Sequence, residues 1–476
     1  MPCKMLIDGD WVDALDGRTF PVDNPATGEV VMEVPFGSAA DVAPAIAAAR
    51  RALPEWREAS PWERGAILRR TGELIRERVD ELARAMTQEC GKPLVEAKGE
   101  WGSAADVFDW FAEEGKRAYG RLIPSHVANK RMMTIVRPVG VAAAITAWNF
   151  PGILPSRKWA AGLAAGCTVV GRPSELTPLS SMLLAGLLVE AGLPPGVLNL
   201  VNGDPAGMGE AFTDSPGVDK ISFTGSQRVG RILMRNAAPH FKRLSLELGG
   251  SAPVIVFADS DIEEAADSSV TAKFRNNGQV CISPSRFYVE QPAYEDFLEA
   301  SRAAAGRLVL GNGLDEGVTV GPMVTEAGRD KVEDFVGDAL QRGAKVVTGA
   351  GRPDGMDEGW FYKPTILTDI TDDMRLSCEE VFGPVMAVSS FSSLDDALAQ
   401  ANGTPYGLAG YAITRDVGNM VRVAEELEFG VVGVNDLVPA VAQAPFGGMK
   451  QSGFGREGGQ EGLQEYLETR FVSLAF

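Results

Sequence analysis

Two residues of this chain are of types that do covalent chemistry together. Glu247 stands in a tight glycine turn with Gly249 and Gly250, and Cys281 follows 34 residues on in an Asn/Gly/Gln loop. A thiol is a nucleophile, and a carboxylate can serve it, or a water, as general base. Between them, Pro253 to Phe257 predict a buried strand, and Asp259 or Ser260 is an N-cap type for a helix to about Arg275. A strand out and a helix back return the thiol to the carboxylate. A cysteine can equally be a small buried hydrophobe, and a Glu before two glycines a plain turn residue. The rest of the chain has to decide.

The 476 residues exceed what one core usually supports, so two or three domains are expected. Apolar residues at 45% and charged residues at 23% fit a soluble globular protein. No apolar run is long enough to span a membrane, and the N-terminus lacks a basic segment followed by an apolar one. A cytoplasmic protein with no membrane partner is expected. The net charge of −19 repels polyanions, which argues against nucleic acid and requires specific arginines for any anionic substrate. Five cysteines, widely spaced and without a C-x-x-C pair, speak against a disulfide framework or zinc site. With only two histidines, His126 and His240, no metal centre is expected and histidine-based triads have little to work with.

Short strands and hairpins are predicted over residues 4–36, and helices over Asp41–Arg51, Pro61–Glu89 and Glu96–Tyr119. In the last of these, Trp101, Phe108, Trp110 and Phe111 read as core. Arg121 to Arg137 interrupt the helical rhythm with an extended, hairpin-like segment. From Val139 onward strands alternate with 10–15-residue helices, and past Cys281 the alternation starts again. This is the signature of parallel sheets covered on both faces, an architecture that binds nucleotides. The apolar, strand-like C-terminus would be an aggregation hazard if left unpaired, and is read as an oligomer contact.

Three further stretches sit where α/β proteins bind ligands. Gly225 and Ser226 form a turn before an amphipathic helix whose N–H groups suit a pyrophosphate, although the Gly225-to-Gly230 spacing is not the G-x-G-x-x-G fingerprint. Trp148-Asn149-Phe150-Pro151 follow a predicted strand, and the Asn149 amide can donate to an oxyanion, as can the Cys281 backbone N–H. Glu175, in Gly171–Glu175 after another strand, can accept from ribose hydroxyls.

With WNFP, RPSELTP, FTGS, LELGG, NGQVC, EEVFGP and PFGG-x-K-x-SG in this order, the chain resembles the aldehyde dehydrogenase superfamily over its whole length. Within it the resemblance is nearest to semialdehyde dehydrogenases of the succinate and α-ketoglutaric kinds. It implies an α/β fold of two Rossmann-like open-sheet domains plus a small β oligomerisation element. The cofactor-binding domain would take 1–119 and 140–248, the catalytic domain 249–440, and the bridging and oligomerisation segments 120–139 and 441–476. Cys281 would be the nucleophile, forming a thiohemiacetal and then a thioester. Asn149 and the Cys281 N–H would hold the oxyanion, Glu247 would be the base, and Lys158 and Glu457 would relay protons. Trp148, Arg172, Glu175, Gly225, Ser226, Val229, Glu380 and Phe382 would bind the cofactor, NAD with NADP also possible. A homo-oligomer, dimer or tetramer, is implied.

Arg172 stands where the family usually has Lys; it can attract a 2′-phosphate that Glu175 repels, and the balance favours NAD. Arg157 and Arg275 match arginines that hold a substrate carboxylate in the semialdehyde enzymes, structural ion pairing being the alternative. Ala440 and Val441 fall where the succinate-semialdehyde enzymes tend to have serine, which leaves α-ketoglutaric semialdehyde or a general aliphatic aldehyde open as substrate. Ser283 in place of a second thiol excludes a C-x-C redox switch. A cysteine hydrolase, a CoA-acylating enzyme and a non-catalytic binding protein are the rival readings. The lack of a histidine near Cys281 in the sequence weighs against the first, the presence of Glu247 against the second, and the intact Cys281, Glu247 and Asn149 against the third.

Overall fold

The computed structural model describes residues 3–476. Five mostly buried strands, Arg243–Leu248, Lys220–Gly225, Val141–Ile145, Thr168–Arg172 and Leu198–Leu200, run parallel in that spatial order, and Glu247 lies at the end of the first, before the glycine turn and not in it. Gly453–Phe454 adds to one edge antiparallel, so part of the C-terminal segment belongs to this sheet. Met5–Ile7 and Asp10–Val12 complete the other edge.

The strands sort their side chains by the two-residue period. Ala142, Ala144 and Val169 face a core built on Trp101, Phe108 and Trp159, while Val141, Ala143 and Val170 face one built on Val42, Ile46 and Phe212. Trp101, Phe108 and Phe111 are fully buried there, with Trp110 packed against them.

A second sheet has seven strands in the order Lys345–Thr348, Thr365–Thr368, Val385–Phe391, Pro284–Glu290, Ala252–Val256, Ala409–Ile413 and Val431–Val434. All are parallel except the first. Leu467–Ala475 pairs along its whole length with Lys130–Pro138, which carries Arg121–Ile123 on its other side. The terminal strand therefore finds its first partner within the chain, not in another subunit. No helix among the described residues is long and apolar enough to cross a membrane.

The first sheet's chain order reverses between Val141–Ile145 and Lys220–Gly225, so a crevice opens at the carboxyl ends of those strands. Only three residues link Leu248 of the first sheet to Ala252 of the second. The carboxyl ends of one sheet thus face the amino ends of the other, and Asn149, Glu247 and Cys281 line one cavity there.

Several boundaries move. The helix after Val256 is Ile262–Phe274, capped by Asp261 rather than Asp259 or Ser260. Asp259 instead accepts from the N–H groups of Arg415 and Asp416. The helix expected over Pro61–Glu89 breaks at Arg78 into Pro61–Glu77 and Val79–Cys90. Four helices among the described residues lie outside the expected set, the longer Pro205–Asp214 and Glu326–Gln341 and the short Arg375–Cys378 and Gly459–Gln464.

Candidate active site

The strand Ala252–Val256 leads away from Glu247, the helix Ile262–Phe274 returns, and Cys281 emerges just before the parallel strand Pro284–Glu290. The turn that delivers it is held left-handed at three consecutive residues: Asn276, Asn277 and Gly278, at φ 48°, 52° and 72°. A Cβ at Gly278 would overlap the Gly383 carbonyl oxygen, so no other residue fits. Neighbouring groups clamp this turn to the Asn149 loop. The Asn149 carbonyl accepts from Lys92 Nζ at 2.9 Å and from Asn276 Nδ2 at 3.0 Å, and Asn149 Nδ2 donates to the Gln279 carbonyl at 3.1 Å. The amide has a second N–H, and Asn149 lines the cavity that Cys281 enters.

Two cavities meet at Cys281. One, of about 250 Å³, is lined by Trp148, Asn149, Gly225, Ser226, Glu247, Glu380, Phe382 and Glu457. The other, of about 290 Å³, is lined by Arg157, Arg275, Phe150, Glu96, Val438 and Ala440. Cys281, Leu154 and Phe446 belong to both walls. The thiol is therefore reachable from two sides by two different molecules.

Burial pushes the Cys281 thiol up to about 12; Arg157 opposes the shift, and Glu247 adds to it. Glu247 is also driven well above the usual carboxylate range, first by burial and then by the charge of Glu457, with Lys158 pulling the other way. Both of its carboxyl oxygens are buried without any hydrogen-bond partner among the described residues. An unpartnered buried carboxyl is costly, and here it faces the cavity that holds the thiol. Behind it, Lys158 and Glu457 form a buried ion pair. Lys158 Nζ also donates to Ser222 Oγ at 3.1 Å, while Glu457 Oε2 has no partner. Removing one member of such a pair costs roughly 3–5 kcal/mol.

The larger apolar walls of the first cavity come from Trp148 and Phe382, whose rings meet edge to face at 5.4 Å. Glu380 reaches in beside them, its Oε1 accepting from the Gly250 N–H at 2.9 Å, and burial raises its carboxyl to about 7. Ser226 caps the helix Gln227–Ala237. Its Oγ takes the Val229 N–H, so that donor is already engaged.

Arg172 and Glu175 stand off this cavity, at the carboxyl end of Thr168–Arg172. They pair with each other at 2.7 Å, and Arg172 also donates to the Gly203 carbonyl at 2.8 Å. A crevice at a switch point, a helix N-terminus, an aromatic pair and two carboxylates form a donor set that fits a nicotinamide dinucleotide.

On the substrate side the structure decides against structural ion pairing for the two arginines. Neither Arg157 nor Arg275 forms an ion pair with a described carboxylate; the buried pairs nearby are Lys92–Glu100 and Lys158–Glu457. Arg157 lies 4.4 Å from the Phe446 ring centroid and Arg275 lies 5.5 Å from that of Phe150. Arg275 Nε is buried without a partner.

The sequence pattern passed over several lining residues. Glu96 and Glu100 stand four residues apart on one face of the helix Leu94–Glu114, and Lys92 just precedes it. Lys331, on the unexpected helix Glu326–Gln341, lines the first cavity and donates to the Glu380 carbonyl at 3.0 Å. Neither His126 nor His240 lines the walls around Cys281.

A thiol facing an unpartnered carboxyl beside a dinucleotide crevice defines a thiol-dependent dehydrogenase. Comparison with known proteins narrows this. The model of the aldehyde dehydrogenase family matches residues 11–472. The chain is 47% identical over 471 residues to the succinate-semialdehyde dehydrogenase [NADP(+)] of Escherichia coli, covering 99% of this chain and 97% of that protein. It is 46% identical over 471 residues to the glutarate-semialdehyde dehydrogenase of Pseudomonas aeruginosa, with the same coverage. The crystal structure of succinate-semialdehyde dehydrogenase from Burkholderia pseudomallei superposes with a TM-score of 0.98 at 45% identity, covering 100% of this chain and 98% of that one. The chain belongs to the aldehyde dehydrogenase family.

Proposed function

We propose that this enzyme oxidises an aldehyde carrying a carboxylate at its far end to the corresponding acid, with NAD as hydride acceptor, through a thioester on Cys281. The observation that carries the substrate class is the pair of guanidiniums, Arg157 and Arg275, without carboxylate partners and on the cavity wall that includes Cys281. Two such donors hold a carboxylate by charge-assisted bonds, and a bare guanidinium pair is costly unless a ligand supplies the anion. The names of the relatives, for succinate and glutarate semialdehydes, agree with an ω-carboxylate. Ala440, where the succinate enzymes tend to have serine, lines that cavity without a hydroxyl.

In this mechanism Cys281 Sγ gives its proton to Glu247 and bonds to the aldehyde carbon. The oxyanion so formed receives hydrogen bonds from the free N–H of the Asn149 amide and from the Cys281 N–H. When bound in the first cavity, between Ser226, Trp148, Glu380 and Phe382, a nicotinamide dinucleotide supplies the acceptor for the hydride. Loss of that hydride leaves the acyl group on Cys281 as a thioester. The proton that Glu247 took from Cys281 first passes outward along Glu457 and Lys158. Glu247 then takes a proton from a water, the hydroxide adds to the thioester carbon, and the thiolate of Cys281 leaves and recovers that proton from Glu247.

For the cofactor, the pairing of Arg172 with Glu175 and Gly203 supports NAD. Arg172 is already engaged, and a 2′-phosphate would meet the Glu175 carboxylate. The terminal strand supports a homo-oligomer, since its outer edge is unpaired and Phe471 and Phe476 are exposed.

The test is steady-state kcat/KM for succinate semialdehyde with NAD and with NADP, with the acid product counted against reduced cofactor. The expected result is one acid per reduced cofactor and a higher value with NAD. Turnover without cofactor would overturn the dehydrogenase mechanism, and a higher value with NADP the cofactor preference.

A further inference from the structure

The substrate cavity holds one charged group that the mechanism leaves idle. The helix Leu94–Glu114 presents Glu96, Gly99, Glu100 and Ser103 to it, the i, i+3, i+4, i+7 spacing of one helix face. Lys92, also on the wall, cancels Glu100 in a buried ion pair. Glu96 is not so cancelled: its Oε2 accepts from the Asn276 N–H at 2.8 Å, one residue past Arg275. With Lys92 and Glu100 offsetting each other, Arg157 and Arg275 contribute two positive charges and an ionised Glu96 subtracts one. What remains matches a single carboxylate.

We propose that Glu96 restricts this enzyme to aldehydes bearing one negative charge, by offsetting one of the two guanidiniums that hold the carboxylate. The proposal rests on the carboxylate reading of Arg157 and Arg275. A substrate with a second anionic group on its far end would bring that group up to Glu96. Like charges ~5 Å apart at an effective dielectric of about 20 repel by enough to cost more than tenfold in affinity.

Burial raises the Glu96 carboxyl to about 7, against the pull of Lys92, the Asn276 N–H and Arg275, with Glu100 adding to the rise. Together with Arg157 these are the charged groups on the cavity wall. The restriction is therefore in force above about pH 7, where Glu96 is ionised, and relaxes below it, where the carboxyl is neutral.

The test compares butanal, succinate semialdehyde, and the same semialdehyde with a sulfonate on the carbon next to its carboxylate, 4-oxo-2-sulfobutanoate, which keeps both charges across the pH range used. Each is measured with saturating NAD, on the wild type and on Glu96→Gln. Glutamine keeps the volume and the acceptor for the Asn276 N–H. In the variant, kcat/KM for the dianion relative to the monocarboxylate is expected to rise at least about tenfold. In the wild type the same ratio is expected to rise as pH falls from about 8 to about 6, which tests the idea even if the variant does not fold. An unchanged ratio in the variant, or a pH-independent ratio in the wild type, with succinate semialdehyde still ahead of butanal, overturns the role of Glu96 and leaves the arginine reading standing. A wild type that takes butanal as well as succinate semialdehyde overturns the arginine reading and this proposal with it.

Discussion

Burial raises the Cys281 thiol to about 12 and also raises the Glu247 carboxyl, so both resist ionising, and Glu247 takes a proton only after its own has left toward Glu457 and Lys158. A base works only when deprotonated. Because the Glu247 carboxyl is raised, the hydrolytic step should speed up as pH rises through a value well above the ordinary ~4.3 of glutamate. Glu247→Gln should lower the hydrolytic rate by about 10²-fold or more and remove that pH limb. Acyl-enzyme should then accumulate on Cys281, where intact mass spectrometry would detect it. A variant that keeps the limb and shows no acyl adduct would place the base elsewhere. At this scale the chemistry was legible, since the residue types and the glycine turn already named nucleophile and base. The unpartnered state of Glu247 was not, because it depends on the empty space the fold leaves around its two oxygens.

The element that matters most is the nine-residue link from the helix Ile262–Phe274 to the strand Pro284–Glu290. Its left-handed turn positions the thiol, and Gly278 leaves no room for a methyl against the Gly383 carbonyl. Gly278→Ala should cost about 1–2 kcal/mol for the backbone alone and more for the overlap. The loss of kcat should exceed the loss of Tm expected from a surface glycine; thermal melts read beside turnover would check it. A variant with wild-type turnover would show that the turn does not position Cys281.

The strand-then-helix route from Glu247 to Cys281 could be read from apolar runs and capping residues. Its cap was displaced because Asp259 is spent on the backbone of a neighbouring loop, a partner far away in sequence. The helix Glu326–Gln341 carries Thr325 as its cap and Val332, Phe335, Val336 and Ala339 at helical spacing, so its signal was present among the charges that surround it. Pro205–Asp214 is harder, because Gly207 and Gly209 weaken the pattern within ten residues.

At the scale of the molecule, two sheets facing end to end place one cavity on each side of a single sulfur. The alternation of strands and helices announced the sheets, and the family motifs announced the cofactor side. The substrate side is assembled from segments near 92–103, 150–157, 275–282 and 438–446, and no local pattern ties these together. The small sheet ending in Leu467–Ala475 keeps one open edge with Phe471 and Leu474 exposed. Replacing both with lysine should shift the oligomer proposed above toward monomer in sedimentation, while the site residues stay untouched. An unchanged mass would remove this strand from the interface.

The most direct test of the central claim is kcat/KM for succinate semialdehyde and for butanal, each with NAD, on the wild type and Arg275→Ala. The account predicts that the charged aldehyde leads in the wild type and loses roughly 30-fold or more of that lead in the variant, while butanal changes by only a few-fold. A lead that survives the substitution intact would contradict it, and would make Arg275 part of the scaffold, not part of substrate recognition.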